Sequence, residues 1–252
     1  MAIKLNSHDQ AVLKRIFGWH SAPWINAFSE VFDHLSFQPT KVLEIGASRY
    51  SAPSMFFLYK NKGTTVDVTC YSENEVQELR NFCENFCKEN NLSIPSVKKY
   101  DIFLPADEMY DVILLKGVLG GLDRKHDLKV FSNAIDCCIK LLRPNGYLII
   151  IDKGWCSIFH NFFLRNFGAA GKNNWHYFSQ KELESLAGSC SSPLVVWKGF
   201  LSLGIMPFNW LQSLVDILDK YIFNKFLLYR GTVFAAVYKN DISNQSSPLD
   251  IS

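Results

Sequence analysis

The chain has 252 residues, 48% hydrophobic and 14% aromatic, which is enough apolar side chain for one large core. That composition excludes a largely disordered or low-complexity protein. A formal net charge of +2, with basic residues scattered, carries no nucleic-acid footprint, so no nucleic-acid partner is expected.

The N-terminus, MAIKLNSHDQAVLKRIF, has no continuous apolar core and no small-residue cleavage site, so it does not read as a secretory signal. Residues 1–38 read as a helical cap of two short helices with GWHSAPW between them. Ser21 and Pro23 are start signals for the second, whose apolar face is Ile25, Phe28, Val31, Phe32 and Leu35. KVLEIGA follows as a strand. Ser51 is placed to cap the next helix, with Pro53 in its first turn, where the missing N–H would have no intrahelical partner. That helix runs through Met55, Phe56, Leu58 and Tyr59 to a stop at Asn61-Lys62-Gly63.

TTVDVTCY is the second strand. Ser72 and Glu75 of SENE have capping-box spacing. Val76, Leu79, Phe82, Cys83, Phe86 and Cys87 then recur at helical spacing until Asn90-Asn91. SVKKYDIF is a weaker strand and YDVILLKGVL a strong one. After Gly120-Gly121, a helix from Asp127 presents Leu128, Phe131, Ala134, Ile135, Cys138 and Leu141, and RPNG ends it before the strand GYLIIID. FSQKELESLAG reads as a helix capped by Ser179 with Glu182. PLVVWKGFL and YRGTVFAAVYK read as strands, with the helical NWLQSLVDILDKYIFNKFL between them and a polar tail after them.

Gly199 to Val215 lacks charges, but Pro207, Asn209 and Gln212 interrupt it, and it is just short of a membrane span. It reads as a buried or interfacial segment and permits peripheral membrane contact through 199–215. The seven cysteines include no CxxC pair and no Cys/His cluster with zinc spacing. They read as reduced core thiols of a cytoplasmic protein, with no metal site.

Residues 41–152 therefore alternate strand and helix. Strands that are continuous apolar runs are buried on both faces, which predicts an α/β fold with a parallel sheet between helices. Ligands of such sheets sit beyond the carboxyl ends of the strands, at the switch point. The candidate stretches are Gly46 to Ser51, Ser72-Glu73, Asp101-Ile102, Lys116-Gly117 and Asp152 to Trp155.

In LEIGASRYSA, a strand turns into a helix, and free N–H groups at a helix start favour an anion. A pyrophosphate loop needs several glycines for close backbone approach, and this one has only Gly46. A carboxylate ligand demands less, and Ser48 and Ser51 add hydroxyls. Glu44, an acid inside an apolar strand, needs donors, which loop N–H groups or a ligand ammonium can supply.

VLEIGAS, CYSENE, KKYDIFLPADEMYDVILLKGVLGGL and LLRPNGYLIIIDKG, in this order, resemble the successive motifs of class I S-adenosylmethionine-dependent methyltransferases over residues 41–154. The resemblance implies a Rossmann-like, doubly wound, mostly parallel seven-stranded sheet with YRGTVFAAVYK as its antiparallel last strand. It implies one domain over 1–240: the cap at 1–38, a cofactor-binding core at 41–154 and an acceptor-side insertion with the last strands at 155–240, followed by the tail at 241–252. The implied cofactor is S-adenosyl-L-methionine, which leaves as S-adenosyl-L-homocysteine. By the same resemblance Glu44 orders the loop and the methionine amino group, while Gly46 and Ala47, followed by Ser48, pass under the methionine part. Glu73 binds the ribose hydroxyls, or Ser72 does if the alignment slips by one. Asp101 holds the adenine amino group beside Ile102, and Lys116 and Gly117 line the methyl end. Ser48 and Tyr50 stand where the family has its second and third glycines.

The implied reaction is in-line attack on the methyl by an oxygen, nitrogen or carbon of a small-molecule acceptor. An alcohol acceptor needs a general base, and Asp152, His126, His160, His176 and Lys116 are all candidates. Trp19, His20, Trp24, Trp155, Phe159, Trp175, His176 and Tyr177 of the cap and insertion point to an apolar or ring-bearing acceptor, such as O-methylation of a sugar or lipid-linked intermediate. Two alternatives compete. One is a non-catalytic binding protein of the same fold. The other is an NAD(P)-dependent oxidoreductase, whose fingerprint would need two glycines this loop lacks. The oligomeric state is open.

Overall fold

The computed structural model describes residues 5–18, 22–35, 37–105, 107–156, 174–186, 192–199, 217–218, 221–222 and 231–241. Most of the 199–215 segment, most of the helix expected near 209–227, the tail beyond 241, and Trp19, His20, Phe159 and His160 lie outside the described residues.

Five strands run parallel: β1 (Lys41–Ile45), β2 (Thr65–Cys70), β3 (Ser96–Lys99), β4 (Tyr110–Lys116) and β5 (Leu142–Lys153). β6 (Leu194–Lys198) closes the sheet, and β7 (Val233–Lys239) inserts antiparallel between β5 and β6. The order across the seven-stranded sheet is β3-β2-β1-β4-β5-β7-β6, as the expected fold class requires. The chain moves outward from β1 to β3 and then returns to the other side of β1. This reversal opens a crevice at the carboxyl ends of β1 and β4.

Alternate strand residues feed two cores, one on each face. Val42, Leu114 and Ile151 pack under α1 (Ser7–Phe17), α2 (Ala22–Asp33), α3 (Met55–Lys60) and α4 (Glu73–Asn90). Leu43, Ile113 and Ile150 pack under α5 (Leu128–Lys140) and α6 (Gln180–Ser185). The cap shares the first core: Leu13, Ile16 and Phe28 are fully buried in it, and α2 packs on β5, β6 and β7. Six described cysteines are free thiols, five of them buried.

Local expectations differ at four places. The N-cap of α3 is Ser54 rather than Ser51, whose hydroxyl instead donates to Phe17 O (3.2 Å). Ser72 caps α4 by position, but no capping box forms, and Glu75 pairs with Arg49 of the β1 loop (3.5 Å). RPNG is a bulge within β5 rather than a stop before it: pairing jumps from Tyr110–Leu142 to Val112–Tyr147, and Asn240 O accepts from Asn145 N (2.8 Å). Leu128 is 38% exposed instead of joining the α5 core face, where Ile139 is buried.

Candidate functional site

A cavity of about 210 Å³ opens at the carboxyl edge of β1, β4 and β5. Its floor is Glu44 with the loop residues Gly46, Ala47, Ser48 and Ser51. Lys116, Gly117 and Lys153 come from the ends of β4 and β5, Trp24 from α2, and Trp175 from the segment before α6. Gly46 has φ +76°, and a Cβ there would lie 2.5 Å from Val118 Cγ2, so only glycine passes. The Ala47 N–H donates to Thr69 O (2.7 Å), which prolongs β1 into the loop. Arg49 ties the loop to α4 through Glu75 (3.5 Å) and Glu78 (3.2 Å). Tyr50 neither crowds nor lines the cavity; it is 59% exposed.

Glu44 is 1% exposed, and the Ser54 N–H donates to its Oε2 (2.8 Å). Loop backbone thus answers the acid, which supplies the cap that Ser51 does not. Burial pushes the Glu44 carboxyl up, against hydrogen bonding from Ser54 and the Lys116 charge. Burial pushes the Lys116 ammonium down, against the Glu44 charge. Each charge opposes the shift of the other, and burial still prevails at both. Lys116 Nζ also donates to Ser51 Oγ and to Phe17 O (3.1 Å), and it lies 5.9 Å from the Trp24 ring centre.

Asp152 is fully buried and outside the cavity lining. It accepts from Gly120 N (3.0 Å), Lys153 N (2.7 Å) and Trp175 Nε1 (2.9 Å). Burial raises its pKa and these donors oppose the rise. Its geometry is that of an anchor for the Trp175 indole. Gly120 makes room for that indole, since a Cβ there would meet Trp175 Nε1 at 2.3 Å. His126 and His176 pack ring against ring (5.1 Å), His176 also against Phe178 (4.5 Å), and neither lines the cavity.

Glu73, Asp101 and Ile102 follow β2 and β3 at the same sheet edge but do not line this cavity. Glu73 is exposed in the first turn of α4, Asp101 Oδ1 accepts from Phe103 N (3.0 Å), and Ile102 is buried. Of the aromatic set, Trp24 and Trp175 face the cavity, Tyr177 is buried and Trp155 is 37% exposed. Lys153 had no assigned role in the sequence, yet strand parity locates it. Glu44, Lys116 and Lys153 lie two residues beyond Val42, Leu114 and Ile151, all of one core, so all three share one face of the sheet.

No protein-family model and no curated protein matches the sequence. Solved structures do. A SAM-dependent methyltransferase from Thermotoga maritima is 16% identical, with 86% of this chain and 87% of that chain covered and a TM-score of 0.55. The plantazolicin methyltransferase BpumL in complex with SAH is 15% identical, with 93% and 88% covered and a TM-score of 0.53. PigF with SAH is 14% identical, with 87% and 62% covered and a TM-score of 0.54. This chain has the class I methyltransferase fold. It spans only 50% of another match, the mitomycin 7-O-methyltransferase MmcR. Within the methyltransferase fold, the cavity occupies the switch point between β1 and β4 and extends to β5. Among the described residues, no cluster of His, Cys, Asp or Glu could hold a metal, and no helix is long and apolar enough to cross a membrane.

Proposed function

We propose that this chain binds S-adenosyl-L-methionine and transfers its methyl group to a small-molecule acceptor. One observation carries the reading: the switch-point cavity sets the Glu44 carboxylate and the Lys116 ammonium beside the single glycine turn. A zwitterionic amino-acid head has one group to match each. Gly46 brings bare backbone to the cavity, as close approach of such a head needs. The complexes of BpumL and PigF with SAH support the same cofactor class.

Glu44, Gly46, Ala47, Ser48, Lys116 and Gly117 would hold the methionine part, with Glu73, Asp101 and Ile102 serving the ribose and adenine at the ends of β2 and β3. The bound cofactor supplies an electrophilic methyl group. Trp24 and Trp175 would orient the acceptor and exclude water, and Asp152 would fix Trp175. A sugar or lipid-linked acceptor, the finer form of this reading, draws on those two tryptophans. An NAD(P) enzyme fits less well, since the loop lacks two glycines and β7 runs antiparallel.

Thermal unfolding tests the reading. Ligand at about a hundred times its Kd adds about 2.7 kcal/mol, or a rise of several degrees in Tm. S-adenosyl-L-homocysteine and S-adenosyl-L-methionine should give this rise and NAD(P) should not. The reverse pattern would overturn the proposal. Binding without turnover across an acceptor screen would favour the non-catalytic alternative.

A further inference from the structure

Lys153 is the charge in the cavity that nothing else uses. Three charged side chains line it: one carboxylate, Glu44, and two ammonium groups, Lys116 and Lys153. Lys116 draws on Glu44, on Ser51 and on the Phe17 carbonyl. Lys153 Nζ has no hydrogen-bond acceptor and no ion pair among the described residues; it lies over the Trp175 ring, 5.0 Å from its centre. The neighbouring acid in the chain, Asp152, is occupied by three N–H donors. A partly buried ammonium without an anion is costly, and a sulfonium cofactor with one net positive charge would add to the surplus.

We infer that the acceptor carries a carboxylate that pairs with Lys153, on a ring-bearing body that lies against Trp24 or Trp175. The inference takes the word acceptor from the methyltransferase reading, but the anion subsite itself stands on the Lys153 geometry. Flat indole faces suit an aromatic ring or the apolar face of a sugar, so an aromatic acid and a sugar acid share the required chemistry.

The test titrates the 252-residue chain, with and without S-adenosyl-L-homocysteine, with two matched pairs of probes. Benzoate is compared with benzamide, and glucuronate with glucose, by calorimetry. At least one acid should bind about tenfold more tightly than its neutral partner, the size of one charge-assisted contact. The pair that shows the gap identifies the body. Lys153→Met should bring the ratio to about one, and Lys153→Arg should keep most of it. If neither acid outbinds its neutral partner, or if Lys153→Met leaves the gap in place while remaining folded by circular dichroism, the subsite does not exist. Titration of the unsubstituted chain with S-adenosyl-L-homocysteine alone reports separately on the cofactor reading. A Lys153-dependent gap without cofactor binding would uphold the subsite and sink the methyltransferase.

Discussion

Gly46 meets two demands at one atom. Its φ of +76° is a backbone state that side chains resist, and its missing Cβ is the space that Val118 fills. Gly46→Ala should therefore cost about 1–3 kcal/mol from backbone strain alone, with the clash added, and should weaken S-adenosyl-L-homocysteine binding. Adding Val118→Ala should remove the clash and leave the strain, so urea unfolding of the double variant should recover part of the loss. Complete recovery would mean that φ is not the constraint. Gly46 is legible in the sequence because a lone glycine stands where a strand becomes a helix. The direction of Tyr50 is not legible, because the loop that carries it is tied through Arg49 to Glu75 and Glu78, 26 and 29 residues away along the chain.

A capping pattern written twice in the sequence gives two outcomes at the level of the helix. Ser179 and Glu182 close a capping box at α6, with Ser179 N donating to Glu182 Oε2 (2.7 Å). Ser72 and Glu75 have the same spacing at α4, and the Ser72 side chain makes no cap bond. Ser179→Ala should cost about 1 kcal/mol, while Ser72→Ala should fall within about 0.5 kcal/mol of the parent, both read from urea midpoints. Equal losses would refute the distinction. No local pattern separates the two sites, since what differs is a distant arginine. Glu182 adds a pH dependence. Burial would raise its carboxyl, but hydrogen bonds from the Ser179 N–H and hydroxyl, with the His176 ring nitrogen 3.3 Å from Oε1, prevail and hold it at about 2, below the usual 4.5. Between those values the unfolded chain binds more protons than the folded one, so the stabilisation is complete above pH 4.5 and is lost as pH falls toward 2. The difference in unfolding free energy between the parent and Glu182→Gln should shrink across that window. A constant difference would remove the carboxylate from the account.

The sheet order of the whole molecule is legible because β1, β4 and β5 are apolar runs that tolerate burial on both faces, and strands and helices alternate between them. The cavity wall is not legible in the same way, because it is assembled from parts far apart in the chain: Trp24 of the cap, Lys116 and Lys153 of two strands, and Trp175 before α6. Asp152 shows what that convergence does. Its position just after an apolar strand reads equally as a base or as a structural acid. The structure gives it three donors from three parts of the chain: Gly120 of the turn after β4, its neighbour Lys153 on β5, and Trp175. The two roles predict different failures. In Asp152→Asn one amide oxygen must serve donors that two carboxylate oxygens served, leaving at least one buried N–H badly paired at a cost of about 1–3 kcal/mol. The Trp175 indole loses its charged anchor, so the tryptophan fluorescence should shift, Tm should fall, and the acceptor KM should rise more than kcat falls. A general base lost by the same substitution would instead lower kcat by about 10²–10⁴ with Tm unchanged. That result would return Asp152 to the chemistry and leave Trp175 to be held by packing against Gly120 and Gly121.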